Sequence, residues 1–386
     1  MTPVIQGLSQ GIRTQNGELI AQNLNAHHQL SSATFRAELS ETNIEAIISQ
    51  VPAEPPFWRD VVRAHLRHIT DPKTAYAERT SALTIFLRYF GATPDTRWLL
   101  PVLYRLIIDL WTVAKIEPAE RQQEAARLLN RCFTICINDR LSNNQSTSRK
   151  WGSYWIANLL FKVYFHLRQI NLCGNLVRAM EAAELPERQL FPKSERCTFA
   201  YYAGRFHLIN NRAEQAETYL ADAYALMRHC PFPCQRNQQL ILHHLIPARL
   251  ILRISKPRFP SPYDLPIRYL REGNLKAFEQ WTTDNMAALL KLGTFMIWEQ
   301  MLTMICFPQL IRHLYRLNHA LVSNPTRLHL SLVYAAASEI FGEKETLCFL
   351  INVLSAKSVR GYISDDHQML VLANTNAFPL LPRSPQ

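Results

Sequence analysis

Amphipathic blocks recur along this chain with little interruption, and that recurrence constrains the fold more than any single motif. TSALTIFLRYF (80–90) and residues 99–115, 123–138 and 151–170 each set apolar side chains at the three-to-four spacing of a helix with one buried face. Short polar joints separate the blocks, so each stripe is expected to bury itself against a sequential neighbour. Only 11 of the 386 residues are glycine, as suits helices, which need few left-handed backbone positions. The proline clusters VPAEPP (51–56), CPFPC (230–234) and KPRFPSPYDLP (256–266) mark joints, because proline removes a helical donor and disfavours helix before it. The expected class is mainly α.

The middle of the chain reads as stacked helix pairs. In FAYYAGRFHLINNRAEQAETYLADAYALM (199–227), Gly204, Ala216, Leu220 and Ala223 fall at the spacings of a tetratricopeptide-type pair, where small residues allow close approach. YLREGNLKAFEQW (269–281) reads as helix, turn and helix, with Gly273 in the left-handed cap. A regular 34-residue period is absent, so the spacing predicts an irregular helical-repeat (tetratricopeptide-like) solenoid. The aromatic residues Trp151, Tyr154, Trp155, Phe161, Tyr164 and Phe165 form a stripe expected in its core.

After Phe307 the pattern changes. Helical blocks at 309–319, 326–341 and 343–356 precede RGYISDDHQMLVL (360–372), which reads as strand, turn and strand. Three helices and a terminal hairpin predict a winged helix with a small β hairpin. A lone hairpin is marginal in water, so Tyr362, Ile363, Leu370 and Leu372 are expected to anchor it inward. In the block 343–356 the expected core stripe is Leu347, Leu350, Ile351 and Leu354. The opposite positions Lys344, Cys348, Asn352 and Ser355 are not strongly basic, which argues against tight base readout in a major groove. The expected organisation is an N-terminal solenoid over 1–195, a helical-repeat part over 196–308 and a winged helix over 309–386.

Charge narrows the partners. The formal net charge is +11, and residues 223–263 contain no acid while Arg228, Arg236, Arg249, Arg253, Lys256 and Arg258 all fall there. Such one-sign stretches attract anions, either nucleic acid or an acidic protein. A second set, Arg312, Arg316, Lys344, Lys357 and Arg360, lies in the expected winged helix, where it would meet phosphates without reading bases. The N-terminus lacks a signal-like apolar run, and no stretch approaches the ~18 apolar residues of a membrane span; neither secretion nor membrane insertion is expected.

Enzymatic signatures are missing. The chain contains no GxGxxG, P-loop, HExxH or GxSxG pattern, so no catalytic residues and no cofactor are expected. The eight cysteines point to reduced thiols, with Cys132 and Cys136 in a helical core. HCPFPC offers His229, Cys230 and Cys234, followed by His243 and His244, as the material for a zinc site or a metal-dependent hydrolase, but the spacing lacks paired CxxC or HxxxH elements. No metal is expected.

The words RKWGSYWIANLLFKVYF (149–165), YYAGR (201–205), AETYL (216–220), LIPARLIL (245–252), REGNL (271–275) and RGYISDDHQMLVLANTNAFPLL (360–381) resemble the PCI-domain family. That module is shared by subunits of the proteasome lid, the signalosome and a translation initiation factor. The likeness is to the branch that supplies the PCI subunit of the nuclear-pore transcription and mRNA-export complex, with the signalosome-associated branch as the alternative. It extends to the N-terminal VIQGLSQGIRTQNGELIAQNL and so covers nearly the whole chain; CPFPCQ and KPRFPSPYDLP depart from the pattern. The resemblance implies a non-enzymatic adaptor in the nucleus. Its implied partners are a PCI scaffold subunit and a small acidic intrinsically disordered protein, which together form a platform for RNA or DNA without strong sequence preference.

Overall fold

Helix follows helix through the first half of the chain. A computed structural model describes residues 2–25, 41–71, 73–140, 145–228, 234–252, 263–321 and 326–379, and its backbone separates into two units, Met1–Tyr202 and Ala203–Gln386. The first unit runs α1 (Thr2–Arg13), α2 (Gly17–Asn23), α3 (Glu41–Ile48), α4 (Phe57–Thr70), α5 (Ala75–Ala92), α6 (Leu100–Ala114), α7 (Ala119–Ile137), α8 (Ser153–His166) and α9 (Ile170–Ala182). From α3 on, each helix packs on its predecessor, which is the solenoid arrangement the amphipathic blocks imply.

Capping and burial set these elements. The Asn16 side chain accepts from the Leu19 amide at 3.0 Å to open α2. The core holds Leu83, Phe86 and Phe90 of α5 together with Leu103, Ile107 and Leu110 of α6. Cys132 and Cys136 are buried in α7, where loss of water pushes both thiols up, as expected of small core residues. The aromatic stripe is core at its centre, with Tyr154, Phe161 and Tyr164 buried. Trp151, Trp155 and Phe165 are half-buried at its margin: Trp155 stacks on Tyr104 with centroids 4.0 Å apart, and Trp151 donates to the Gln145 carbonyl at 2.7 Å beneath the Arg97 guanidinium.

The unit boundary falls inside α10 (Lys193–Ile209). The second unit continues with α11 (Ala213–Arg228), α12 (Gln235–Ile251), α13 (Asp264–Glu272), α14 (Leu275–Asp284), α15 (Met286–Leu292) and α16 (Phe295–Met301). Gly204 packs on Leu220; a Cβ there would stand 2.6 Å from the Leu220 Cγ, so the helix pair at 199–227 needs glycine at this crossing. Ala216, Leu220 and Ala223 are all buried. Gly273 ends α13 at φ +70, and a Cβ would run into the Leu310 backbone. Tyr263, Phe278, Trp281 and Trp298 form the aromatic centre of this region, with Tyr263 stacked on Trp298 at 4.8 Å.

A π-helical turn, Leu302–Cys306, leads into the winged helix: α17 (Phe307–Leu321), β1 (Arg327–His329), α18 (Leu330–Ala337), α19 (Glu343–Ser355), β2 (Gly361–Ser364) and β3 (Met369–Leu372). Three details differ from the sequence reading. First, the block at 326–341 opens as a strand, and the sheet has three strands in the antiparallel order β1-β3-β2. Leu328 lies opposite Leu370 and both are fully buried, so the hairpin gains a third strand that stabilises it.

Second, Tyr362 is not an inward anchor. Neighbouring residues of a strand point to opposite faces. The register sets Ile363 opposite Leu370 and Tyr362 opposite Val371, so once Ile363 turns inward Tyr362 turns out, and it is 62% exposed. Third, the buried stripe of α19 is Thr346, Leu350 and Val353; Leu347 and Leu354 are half-buried and Ile351 is 50% exposed. Thr346 can be buried because its hydroxyl donates to the Gly342 carbonyl at 3.0 Å. No single helix among the described residues is long and apolar enough to cross a membrane.

Candidate interaction surfaces

Two of the five predicted phosphate contacts, Lys344 and Lys357, lie at opposite ends of α19. Lys344 stands in the first turn of α19, which opens with the Gly342 amide donating to Glu345 Oε2 at 3.1 Å. Lys357 follows the last turn at φ +56, its amide donating to the Leu354 carbonyl at 3.0 Å. The helical rise between the two amounts to about 20 Å, so they do not share an edge. Lys357 also stands where the helix carbonyls leave partial negative charge, which holds a cation in place.

Arg360 is fixed through its backbone: its amide donates to the Ala377 carbonyl at 2.8 Å, and its carbonyl accepts from the Ala373 amide at 3.0 Å. The chain after β3 thus ties the base of the wing, and the Arg360 side chain is exposed. On α17 the core side is Phe307 and Ile311, while Arg312 is half-buried and Arg316, one turn on, is exposed. Among the described residues, no carboxylate lies within ion-pairing distance of Arg312, Arg316, Lys344, Lys357 or Arg360. The tip of the wing carries the opposite charge, with Asp365 and Asp366 both exposed. Positive charge in this region therefore lies at the base of the wing and not at its tip.

Sequence reasoning missed an apolar component. Leu317, Leu332, Ile351 and Tyr362 are each about half exposed or more. Between the π-helical turn and α19 lies a groove of about 280 Å³ lined by Met301, Met304, Phe349, Val353 and Ala356. Ile351 lies one position beyond the buried Leu350. The absence of charge throughout LINVL is the signal that this helix face is not ordinary solvent surface.

The residues expected to hold an acidic partner are partly compensated within the fold. Arg228 ends α11 and Arg236 lies in the first turn of α12, both exposed. Arg249 is paired with Glu217 of α11, with Nε and Nη2 at 2.9 and 2.8 Å from the same carboxylate oxygen. The segment lacks acids in sequence, but its neighbouring helix supplies one. Arg253, Lys256 and Arg258 lie outside the described residues.

The paired histidines serve the core. The Tyr263 hydroxyl lies 2.6 Å from His243 Nδ1, and burial lowers the His243 pKa. His244 is buried, with ring nitrogens 2.9 and 3.2 Å from the Leu240 and Leu292 carbonyl oxygens, and burial lowers its pKa to about 4. The two rings turn to different partners and do not converge. His229 and Cys230 lie outside the described residues, and no group of three His, Cys, Asp or Glu side chains able to hold a metal occurs among the described ones.

Comparison with known proteins bears on what such a molecule is. No protein-family model matches the chain. It is 33% identical over 361 residues to the CSN12 homolog protein of Schizosaccharomyces pombe, covering 83% of each. It is 30% identical over 352 residues to PCI domain-containing protein 2 of Xenopus laevis, covering 85% of this chain and 86% of the relative. With the protein of that name from Danio rerio the likeness extends over 98% of this chain at 29% identity.

Proposed function

Because the chain belongs to the family of PCI domain-containing protein 2 and the CSN12 homologues, we propose that it is a non-enzymatic adaptor subunit of a nuclear, transcription-coupled mRNA-export complex. It pairs with a PCI scaffold subunit and a small acidic disordered protein, and the assembly binds RNA or DNA without strong sequence preference at the nuclear pore. The observation that carries the nucleic-acid part is the base of the wing, where Lys357 and Arg360 are held by backbone hydrogen bonds and stand without an acidic partner among the described residues. Phosphate contacts of this kind position a nucleic acid without reading it.

The scaffold part is supported by the sheet edge. Among the described residues β2 pairs with β3 on one side only, and its exposed Tyr362 stands on that edge strand, where a partner strand can add. Arg228, Arg236 and the groups of 253–258 are the proposed contacts of the acidic protein, with Arg249 contributing only if Glu217 is displaced. Purification of the native complex through a tag on this chain, with its subunits identified, tests the assembly. Co-purification of a second PCI protein and a small acidic protein is the expected result; recovery of signalosome subunits in their place overturns it.

A second reading, a protein-docking subunit associated with the signalosome, is favoured by the acidic wing tip and by the exposed Leu332, Ile351 and Tyr362. These suit a protein neighbour better than a phosphate backbone. Under that reading the purified assembly shows no salt-sensitive affinity for RNA.

A further inference from the structure

Two stripes of amide side chains face one another across the first unit, and neither the winged helix nor the acid-free segment accounts for them. On α7, Gln123, Arg127, Asn130 and Thr134, with Asn138 at its C-cap, follow one another at four- and three-residue intervals and are all exposed. On α9, Asn171 and Asn175 repeat the pattern. α8 packs between the two helices and supplies Tyr164 to the floor. The result is a continuous trough with two lobes that share Asn130, one of about 690 Å³ and one of about 360 Å³.

The amides are oriented. The Tyr164 hydroxyl donates to Asn130 Oδ1 at 3.3 Å, and Arg178 donates to Asn175 Oδ1 at 2.6 Å. With these two oxygens engaged, the –NH₂ groups of Asn130 and Asn175 are left for a ligand. Among the described residues, neither lobe is lined by an acid. The larger lobe holds Arg127 and Arg168, with no carboxylate in ion-pairing distance of either among those residues. Glu124, one turn before Arg127, accepts instead from the Tyr76 hydroxyl at 3.0 Å. Arg168 occupies a left-handed backbone position, φ +57, where glycine is easier, so a charged side chain is kept at the rim against local preference. The smaller lobe adds an apolar side, with Leu176, Ala179, Ala182 and Ala183.

We propose that this trough binds an extended peptide segment of a partner protein, its backbone carbonyls held by the amides of Asn130 and Asn175. A carboxylate of the peptide lies at Arg127 and Arg168, and small apolar side chains lie over Ala179 and Ala182. From Gln123 to Asn138 the stripe measures about 22 Å, the length of six to seven extended residues. Asn171 and Asn175, four residues and so about 6 Å apart along α9, match the two-residue repeat of an extended chain. A single-stranded nucleic acid fits less well: two guanidiniums are few for a phosphate at every step, and the two rings beneath the trough, Phe133 and Tyr164, are buried and offer no stacking face. This inference is independent of the proposal for the winged helix.

The test uses the full chain and an array of fluorescein-labelled ten-residue peptides of varied sequence, with a labelled decauridine as the nucleic-acid probe. The wild-type protein should select peptides in which an Asp or Glu precedes small apolar residues by three to five positions. Arg127→Glu with Arg168→Gly should weaken these at least about tenfold and leave thermal unfolding unchanged or improved, since glycine relieves the left-handed position. Asn130→Leu with Asn175→Leu should weaken all bound peptides by a similar factor whatever their sequence, because it removes donors to the backbone. The proposal is overturned if no peptide is bound at millimolar concentration, if either double variant leaves the selected peptides and their affinities unchanged, or if decauridine alone binds and Arg127→Glu abolishes that binding.

Discussion

Asp139 and Arg149 close a buried clip in the first unit. Arg149 Nη2 lies 2.8 Å from Asp139 Oδ1, while Oδ2 accepts from the Ser148 hydroxyl at 2.7 Å and the Arg149 amide at 2.9 Å. The other end of the guanidinium donates to the Phe90 carbonyl and lies over the Phe90 ring. The clip holds the chain between α7 and α8 and so sets the entry of the aromatic-rich helix. Burial works to raise the Asp139 pKa, but the hydrogen bonds from Arg149 and Ser148 outweigh it and hold the carboxyl well below the usual range.

Removing one partner of such a pair leaves the other buried and uncompensated. Asp139→Ala is therefore expected to cost about 3–5 kcal/mol, measured by urea unfolding at pH 7. The folded-state pKa is depressed, so the stabilisation is complete above the unfolded-state value near 4 and is lost as pH falls toward the folded-state value. Wild-type stability should decline below about pH 4 more steeply than that of the variant, and parallel pH profiles would contradict the assignment.

Glu195, in the first turn of α10, has the opposite sign. Burial raises its pKa to about 7, and its Oε2 has no hydrogen-bond partner among the described residues. A carboxyl whose folded-state pKa is raised destabilises the fold above the unfolded-state value, and the penalty recedes as pH falls from about 7 toward 4.5. Glu195→Gln should raise stability by on the order of 2 kcal/mol at about pH 8 and have little effect at about pH 4.5, by thermal unfolding at both values. A loss of stability at the higher pH would show that the charged form is held by a favourable partner.

Gly273 tests the approach of α13 to the winged helix. Alanine there must take a left-handed backbone angle and also displace the Leu310 backbone. The expected cost is about 2 kcal/mol or more, with the loss concentrated in hydrogen exchange of α13 and α17. A cost of about a few tenths of a kcal/mol would mean that α17 shifts freely.

The sequence is legible where one residue type answers one local need. REGNL announces a left-handed cap, and the spacing from Gly204 to Leu220 announces a close helix crossing; both are present. It is silent where geometry between elements decides. Tyr362 and Ile363 are both good strand residues, and only pairing with β3 determines which turns inward. β1 has three residues, too few for alternation to be seen, and becomes a strand through Leu370. A gap in acids along the chain suggests a free Arg249, whereas Glu217, 32 residues earlier, neutralises it across a helix pair. Exposed asparagines carry no signal singly, so the trough of the first unit emerges only when α7 and α9 are seen on either side of α8.

The central claim is that the base of the wing engages nucleic acid within an assembled complex. Its most direct measurement is the affinity of the reconstituted subcomplex for single-stranded RNA over a range of salt, for the wild type and for Lys357→Glu with Arg360→Glu, alongside size-exclusion analysis of assembly. The account predicts intact assembly, affinity weakened to a similar extent for all sequences, and a salt dependence shallower by about 0.7 for each phosphate no longer engaged. Unchanged affinity and slope in an intact assembly would contradict it, and loss of assembly would assign this edge to the scaffold instead.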